Sequence, residues 1–451
     1  MLLLHLLTFA AGLGIAGARN IPTRRNSSPT STLIATEYGT VFDAPVTIGN
    51  QSFMLLVDTG SSDTYVMQTG YKCINSTNNN LVIPQSDCHY ANKTYHKSKT
   101  YRRLPSEMFG VKYGAGLASG LMAYEQVSMG GVNVNMQKIG ISNVSDPMGD
   151  GVNSGLLGLG YPALTSAHPA NHTTNSSTYG SDRLVYNPLL FTMHEQGLID
   201  PYFSLALAHT PQNQSTSFGG YMTLGGLPPV NHSSHFSTVP VEITENVPLW
   251  YTSGKAVRSY WSATVNNITY GLSSDKLTTN TTAFQAFIDS GNYISYLPPA
   301  IVDPINALFS PPATYDSTLR LYVVDCSAKA PEFGLSLGDQ TFYHDGSDLI
   351  YQTPEGVCVS SLASSSEVSL GNVTLNIIGV PFLKNVVAVF DFGKNEMRFA
   401  KKLDSQHSGS GNITSTPLFS GAPVRCNSRH SAVIGLLLAL ATSLMILDIC
   451  I

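Results

Sequence analysis

The sequence predicts an all-β protein made of two equivalent lobes, on three observations. The composition favours turns: 39 Gly and 25 Pro stand in a chain of 451 residues, with 43% hydrophobic and only 12% charged positions. Such a chain has ample apolar content for a core and too little charge for disorder. Short β-branched or aromatic runs bounded by Gly, Pro or Asn recur at 39–47, 121–134, 220–225, 263–270, 319–324 and 386–392, as strands do. Helical pattern is confined to 187–197 and 300–308. The third observation is an internal repeat. Residues 54–60 read MLLVDTG and residues 285–291 read QAFIDSG; seven positions past each Asp stands a Tyr, Tyr65 and Tyr296. Farther on, each half has two aliphatic residues followed by Gly: Leu156-Leu157-Gly158 and Ile377-Ile378-Gly379.

Taken in order, residues 1–18 form an apolar run ending Ala16-Gly17-Ala18, an A-x-A pattern that predicts a signal peptide over a buried N-terminal helix. Residues 19–37 are expected as a short pro or N-terminal segment, with Arg19, Arg24 and Arg25 as its basic residues. Residues 38–229 form the first lobe and 230–402 the second, the boundary falling near Pro228-Pro229. Residues 403–425 are a Ser/Gly-rich linker. Residues 426–451 hold the apolar run AVIGLLLALATSLMIL, with Ser420-Gly421-Ala422 upstream. Small residues, a polar spacer and an apolar tail predict a GPI attachment signal; a short transmembrane helix is the rival, but no basic cluster follows it.

The compartment follows from sequons and cysteines. N-x-[ST] begins at Asn26, Asn50, Asn75, Asn92, Asn143, Asn171, Asn175, Asn213, Asn231, Asn267, Asn280, Asn372 and Asn412. Behind a signal peptide this predicts a secreted protein carrying N-linked glycans. Cys73 lies near Cys88, and Cys326 near Cys358. An oxidising compartment lets each pair close a local disulfide, whereas the spacings lack C-x-x-C and a His pair, so no metal is expected. The formal charge of −5 and the absence of Lys/Arg runs exclude a nucleic-acid footprint. No cofactor is called for, and a monomer is expected.

The chemistry lies in the two Asp loops. Two carboxylates brought within a few Å do not both ionise easily and share a proton. The ionised one serves as base toward a water, while the protonated one polarises a carbonyl. Gly60 and Gly291 remove a Cβ and let the loops approach. The Thr59 and Ser290 hydroxyls are placed to bond the opposite loop, and Ser61 to donate to Asp58. One Asp-Thr-Gly is a common turn; two, each after an apolar strand and each with a matched aliphatic-aliphatic-Gly, are specific.

With DTGSS at 58–62, DSG at 289–291, GLLGLG at 155–160 and IIGVPFLKNVVAVFDF at 377–392, residues 36–402 resemble the pepsin-like aspartic peptidases, with GPI-anchored yapsin-like fungal members as the suggested subtype. The resemblance implies the bilobal pepsin-like fold, a cleft between the lobes, endopeptidase activity on a peptide or protein substrate, and Asp58 and Asp289 as the catalytic pair. It also implies that VKYGAG at 111–116 is a flap over the substrate, with Tyr113 packing on the bound peptide and Gly114 and Gly116 making the turn. By the residues alone this stretch is a hairpin turn. The chain departs from the family at Asn292, where Thr or Ser is usual; an amide donor to Asp289 is then expected. Tyr65 stands where Trp usually supports the flap Tyr, and the 19–37 segment is too short for a typical inhibitory pro-segment.

Asn292 motivates the alternative of a catalytically inactive pepsin-like surface binding protein. A structural glycoprotein leaves the paired loops unexplained. Serine hydrolase, zinc peptidase and dinucleotide-binding readings fail for want of G-x-S-x-G, H-E-x-x-H and a βαβ unit.

Overall fold

The computed structural model describes residues 28–171, 182–210, 214–245, 247–353, 355–370 and 373–403. The expected signal peptide, most of the expected linker and the expected C-terminal signal lie outside the described residues.

Alternation builds the strands. In Gln51–Asp58 the side chains of Phe53, Leu55 and Val57 point into the core, and the strand ends on buried Asp58. It lies antiparallel to Val41–Ile48, which in turn pairs with Thr30–Thr36. Thr30–Thr36 also pairs with Ser217–Leu224. This corrects the expected N-terminal boundary: residues assigned to a segment before the first strand already belong to the sheet. The reason is their own alternation, which buries Ser31, Leu33 and Ala35 on one face.

Among the described residues the strands form one fifteen-stranded sheet and one eight-stranded sheet, with smaller four- and two-stranded sheets. The largest does not stop at Pro228-Pro229. Beyond Ser217–Leu224 it continues through Tyr202–Leu207 to Val386–Asp391, Glu396–Lys401 and Ser237–Pro240. The two lobes thus share backbone hydrogen bonds. The shared region is packed with rings: Phe203 stacks on Phe390 at 4.8 Å, and Trp261 lies 4.8 Å from Tyr161 and 5.1 Å from Phe390. Fully buried Trp261 donates its indole N–H to Leu159 O at 3.0 Å, so this large apolar group carries no unpaired polar atom.

The internal repeat has a structural counterpart in register. Leu56, Val57 and Asp58 pair in parallel with Leu156, Leu157 and Gly158. Phe287 and Ile288 pair in parallel with Ile377 and Ile378. In each half the same aliphatic strand also pairs antiparallel with the Tyr-bearing strand, Tyr65 opposite Leu156 and Tyr296 opposite Ile377. Gly158 and Gly379 seal these motifs. A Cβ on Gly158 would lie 2.4 Å from Ser62 C, and one on Gly379 would lie 2.4 Å from Asn292 O.

The helices Leu189–Glu195 and Pro299–Asn306 fall where the pattern places them, each behind a Pro at its N-cap, and Pro298 also ends the strand Ser295–Leu297. Both disulfides form, with Cα–Cα separations of 5.7 Å for Cys73–Cys88 and 5.2 Å for Cys326–Cys358.

Candidate active site

Asp58 ends the strand Gln51–Asp58, Asp289 directly follows the corresponding strand Phe284–Ile288, and both are fully buried. Their loops are tied to each other reciprocally. Thr59 N–H donates to Ser290 Oγ at 3.1 Å, and Ser290 N–H donates to Thr59 Oγ1 at 2.9 Å. Each hydroxyl then donates across to the strand entering the other loop: Thr59 Oγ1 to Ile288 O at 2.9 Å, and Ser290 Oγ to Val57 O at 2.7 Å. Four bonds between segments 231 residues apart fix the separation and tilt of the two carboxyls. The approach is so close that a Cβ on Gly60 would lie 2.6 Å from the Asp289 carboxyl atoms. Gly60 is therefore required by space rather than by backbone conformation.

Within each loop the first donor is the same and the second is not. Gly60 N–H donates to Asp58 Oδ1 at 2.8 Å, and Gly291 N–H donates to Asp289 Oδ1 at 2.8 Å. Ser61 Oγ adds a 2.5 Å bond to Asp58 Oδ2. Its counterpart, Asn292, does not bond Asp289. The Asn292 amide turns its Oδ1 to accept from Ile294 N–H at 3.3 Å, its Nδ2 is buried with no partner among the described residues, and Asp289, which bonds the Asp58 carboxyl, takes no donor from residue 292. This corrects the expectation of an amide donor. The longer side chain folds back onto its own turn, as Asn side chains do.

The asymmetry is electrostatic as well. Burial raises the Asp58 pKa, opposed by the Ser61 hydroxyl, the Gly60 N–H and the bond with Asp289. Burial likewise pushes Asp289 up, and the neighbouring Asp58 charge adds to it, so it rises well above the usual carboxylate range. Asp58 is thus the better site for the negative charge and Asp289 for the proton.

Tyr113 ends the strand Arg102–Tyr113 and pairs with Gly116 across a two-residue turn. Its ring is buried near Asp58 and Ser61. The turn needs glycine at one of the two expected positions. Gly116 has φ +147°, and a Cβ there would meet Asp146 Cβ at 2.5 Å; Gly114 has no positive φ. Asp146 anchors the hairpin beside its turn by accepting from Leu117 N–H at 2.8 Å and Ser76 Oγ at 2.6 Å. Tyr65 packs on Phe109 of the hairpin strand at 5.1 Å and is buried in the same cluster as Tyr113.

Several polar and aromatic neighbours were not singled out by sequence. Asp63 is fully buried and accepts from Ser166 N–H at 3.0 Å and from Tyr186 Oη at 2.5 Å. The Arg183 guanidinium lies 4.1 Å over the Tyr251 ring and donates to Leu164 O at 2.9 Å. Tyr260 stacks on Phe287 at 4.5 Å and its charge would feel Asp289. No spacing rule points to these residues; the one local signal is that Asp63 directly follows DTGSS.

Comparison with known proteins agrees with this geometry. A family model described as eukaryotic aspartyl protease matches residues 42–402. A probable aspartic-type endopeptidase of Aspergillus fumigatus is 38% identical over 383 residues, 83% of this chain and 81% of that one. Penicillopepsin-1 of Penicillium janthinellum is 27% identical over 362 residues, 79% and 93% of the two chains. Pepsin A of Bos taurus is 25% identical over 405 residues, 87% and 91%. The crystal structure of an aspartic proteinase from Irpex lacteus has the same fold, at TM-score 0.62 and 20% identity, covering 85% of this chain and all of that one. With two mutually bonded Asp loops inside a family match that spans most of its length, the chain belongs to the eukaryotic aspartyl proteases.

Proposed function

We propose that Asp58 and Asp289 are the pair with which this aspartic-type endopeptidase activates a water against a peptide bond. The observation that carries the assignment is the reciprocal Thr59–Ser290 bonding, which leaves no room for a Cβ between Gly60 and the Asp289 carboxyl. Asp58, holding the charge with two donors, takes the water proton. Asp289, holding the shared proton, donates to the scissile carbonyl as it becomes tetrahedral. That proton balance reverses when the amine leaves. Tyr113 and the hairpin cover the reacting atoms and exclude bulk water.

The test is cleavage of an unfolded protein at acid pH, with and without a peptide mimic carrying a tetrahedral hydroxyl. Asp58→Asn and Asp289→Asn each abolish turnover while the protein stays folded. Substantial activity in either folded variant overturns the assignment. The buried Asn292 Nδ2, which has no partner among the described residues, favours one second reading, an inactive peptide-binding protein. Tight binding of the mimic without cleavage, with Asn292→Thr restoring activity, selects that reading.

The setting is proposed to be the outer face of the secretory pathway, with N-linked glycans and a lipid anchor. In support, all eight sequon asparagines among the described residues (Asn50, Asn75, Asn92, Asn143, Asn171, Asn231, Asn267 and Asn280) are exposed or half-exposed. No helix among the described residues is long and apolar enough to cross a membrane; the apolar run at 432–447 lies outside them. Release by a phosphatidylinositol-specific phospholipase is the check; protein that stays in the membrane with residues 432–451 still attached rules the anchor out.

A further inference from the structure

The hairpin that carries Tyr113 is not free along its outer edge. Ala167, His168 and Pro169 pair antiparallel with Phe109, Met108 and Glu107 of the hairpin strand, and Ala170 N–H donates to Ser106 O at 2.9 Å. A third strand is thus added to what would otherwise be an exposed edge. The segment bearing that strand is in turn fastened to the Asp58 loop. At its start, Ser166 N–H donates to both Asp63 oxygens, at 3.0 and 3.1 Å. Beyond the strand, Tyr186 Oη donates to Asp63 Oδ1 at 2.5 Å. The Tyr186 ring makes a second link to the same hairpin strand: Lys138 Nζ lies 5.0 Å from its centroid and pairs with Glu107.

We propose that Asp63 is a positioning residue for the hairpin. Through Ser166 and Tyr186 it ties the added edge strand to the loop of Asp58, so that Tyr113 is held at a fixed height over the carboxyl pair. The Asp58 loop and the cover above it then move as one body. The proposal rests on the reading of this site as a peptidase cleft, and it adds a residue outside the catalytic pair.

The chemistry suits the role. A buried carboxylate is costly unless hydrogen-bonded. Asp63 has no ion pair within salt-bridge distance among the described residues, so its charge depends on the donors that bind it. Burial raises its pKa; the Ser166 N–H, the Tyr186 hydroxyl and the Arg183 charge all oppose that rise. Losing one of these donors both frees a segment and leaves the carboxylate underpaired.

The full-length protein is compared with Tyr186→Phe, Asp63→Ala and Asp63→Asn. Three quantities are read: KM and kcat for a peptide substrate, the Kd of a non-hydrolysable peptide carrying a tetrahedral hydroxyl, and amide exchange over Arg102–Met129. Tyr186→Phe and Asp63→Ala should weaken mimic binding and raise KM about tenfold, which a lost bond to a charged acceptor suffices to produce. Hairpin exchange should quicken, while kcat stays within about twofold because the carboxyl pair is untouched. Asp63→Asn keeps an acceptor oxygen for Tyr186 and should stay within about threefold of the parent. Unchanged binding and exchange in Tyr186→Phe and Asp63→Ala overturn the proposal. So does an equal loss in all three variants that tracks the thermal midpoint. Exchange needs no ligand or turnover, so a parent protein that cleaves nothing would sink the proposed function while leaving this coupling open to the same measurement.

Discussion

Asn292→Thr tests whether the missing donor at Asp289 sets the upper pH limit of activity. Position 292 stands three residues after Asp289, as Ser61 stands three after Asp58. Ser61 bonds Asp58 Oδ2, whereas residue 292 gives Asp289 no donor, its amide being turned to Ile294 N–H. The backbone at 292 is fixed independently of its side chain, because Val380 N–H donates to Asn292 O at 2.9 Å. A hydroxyl introduced there should meet Asp289 Oδ2 much as Ser61 meets Asp58. The cost is one long bond, Asn292 Oδ1 to Ile294 N–H at 3.3 Å. A hydrogen bond to a charged acceptor is worth about 1.5–3 kcal/mol, and about 1.4 kcal/mol corresponds to one pH unit of titration. The new donor favours the ionised form of Asp289, so the basic limb of kcat/KM against pH should move down by about 1–2 pH units. The acidic limb, belonging chiefly to loss of the first proton from the pair, should move much less. The assay is the pH profile of a chromogenic peptide with parent and variant. A basic limb that stays put or moves up refutes the argument that Asn292 leaves Asp289 short of a donor.

Two further outcomes follow from the buried polar groups. Asp43 is fully buried, bonded to the Asp150 carboxyl and close to Glu37, and Glu37 also faces Glu355 and the Tyr293 and Tyr351 rings. Burial and these like charges raise Glu37 from an ordinary 4.5 to about 7 and Asp43 well above its usual range. Groups raised in the folded state stabilise it fully below their unfolded values, and the gain is lost as pH rises through the folded ones. The thermal midpoint should therefore fall between pH 4.5 and about 7, and Asp43→Asn should flatten that fall; an equally steep fall in the variant refutes it. Thr59→Val removes the acceptor of Ser290 N–H and the donor to Ile288 O, costing about 1–3 kcal/mol for each buried group left unpaired. Denaturant unfolding at acid pH measures this, together with a reduced kcat; an unchanged midpoint and rate would show that the reciprocal bonds do not hold the pair.

Sequence alone determined the features whose causes are local and repeated. An apolar strand running into Asp-Thr/Ser-Gly, a matched aliphatic-aliphatic-Gly and a Tyr seven positions on were legible in both halves, because strand alternation and glycine's missing Cβ act within a few residues. The register of Val57 beside Leu157 and of Ile288 beside Ile378 follows those patterns. The disulfide partners were legible for the same reason, each pair being close in sequence within one lobe. Only the tertiary structure decided which way Asn292 turns, because its amide chooses between two partners at comparable reach, Asp289 and the Ile294 N–H. It also decided that Asp63 binds Tyr186, 123 residues away, and that Asp43 is buried against Asp150 without a counter-charge. The sheet running through the lobe boundary belongs with these. Its pairing of Tyr202–Leu207 with Val386–Asp391 depends on packing of rings from both halves, and no periodicity within either strand encodes its partner.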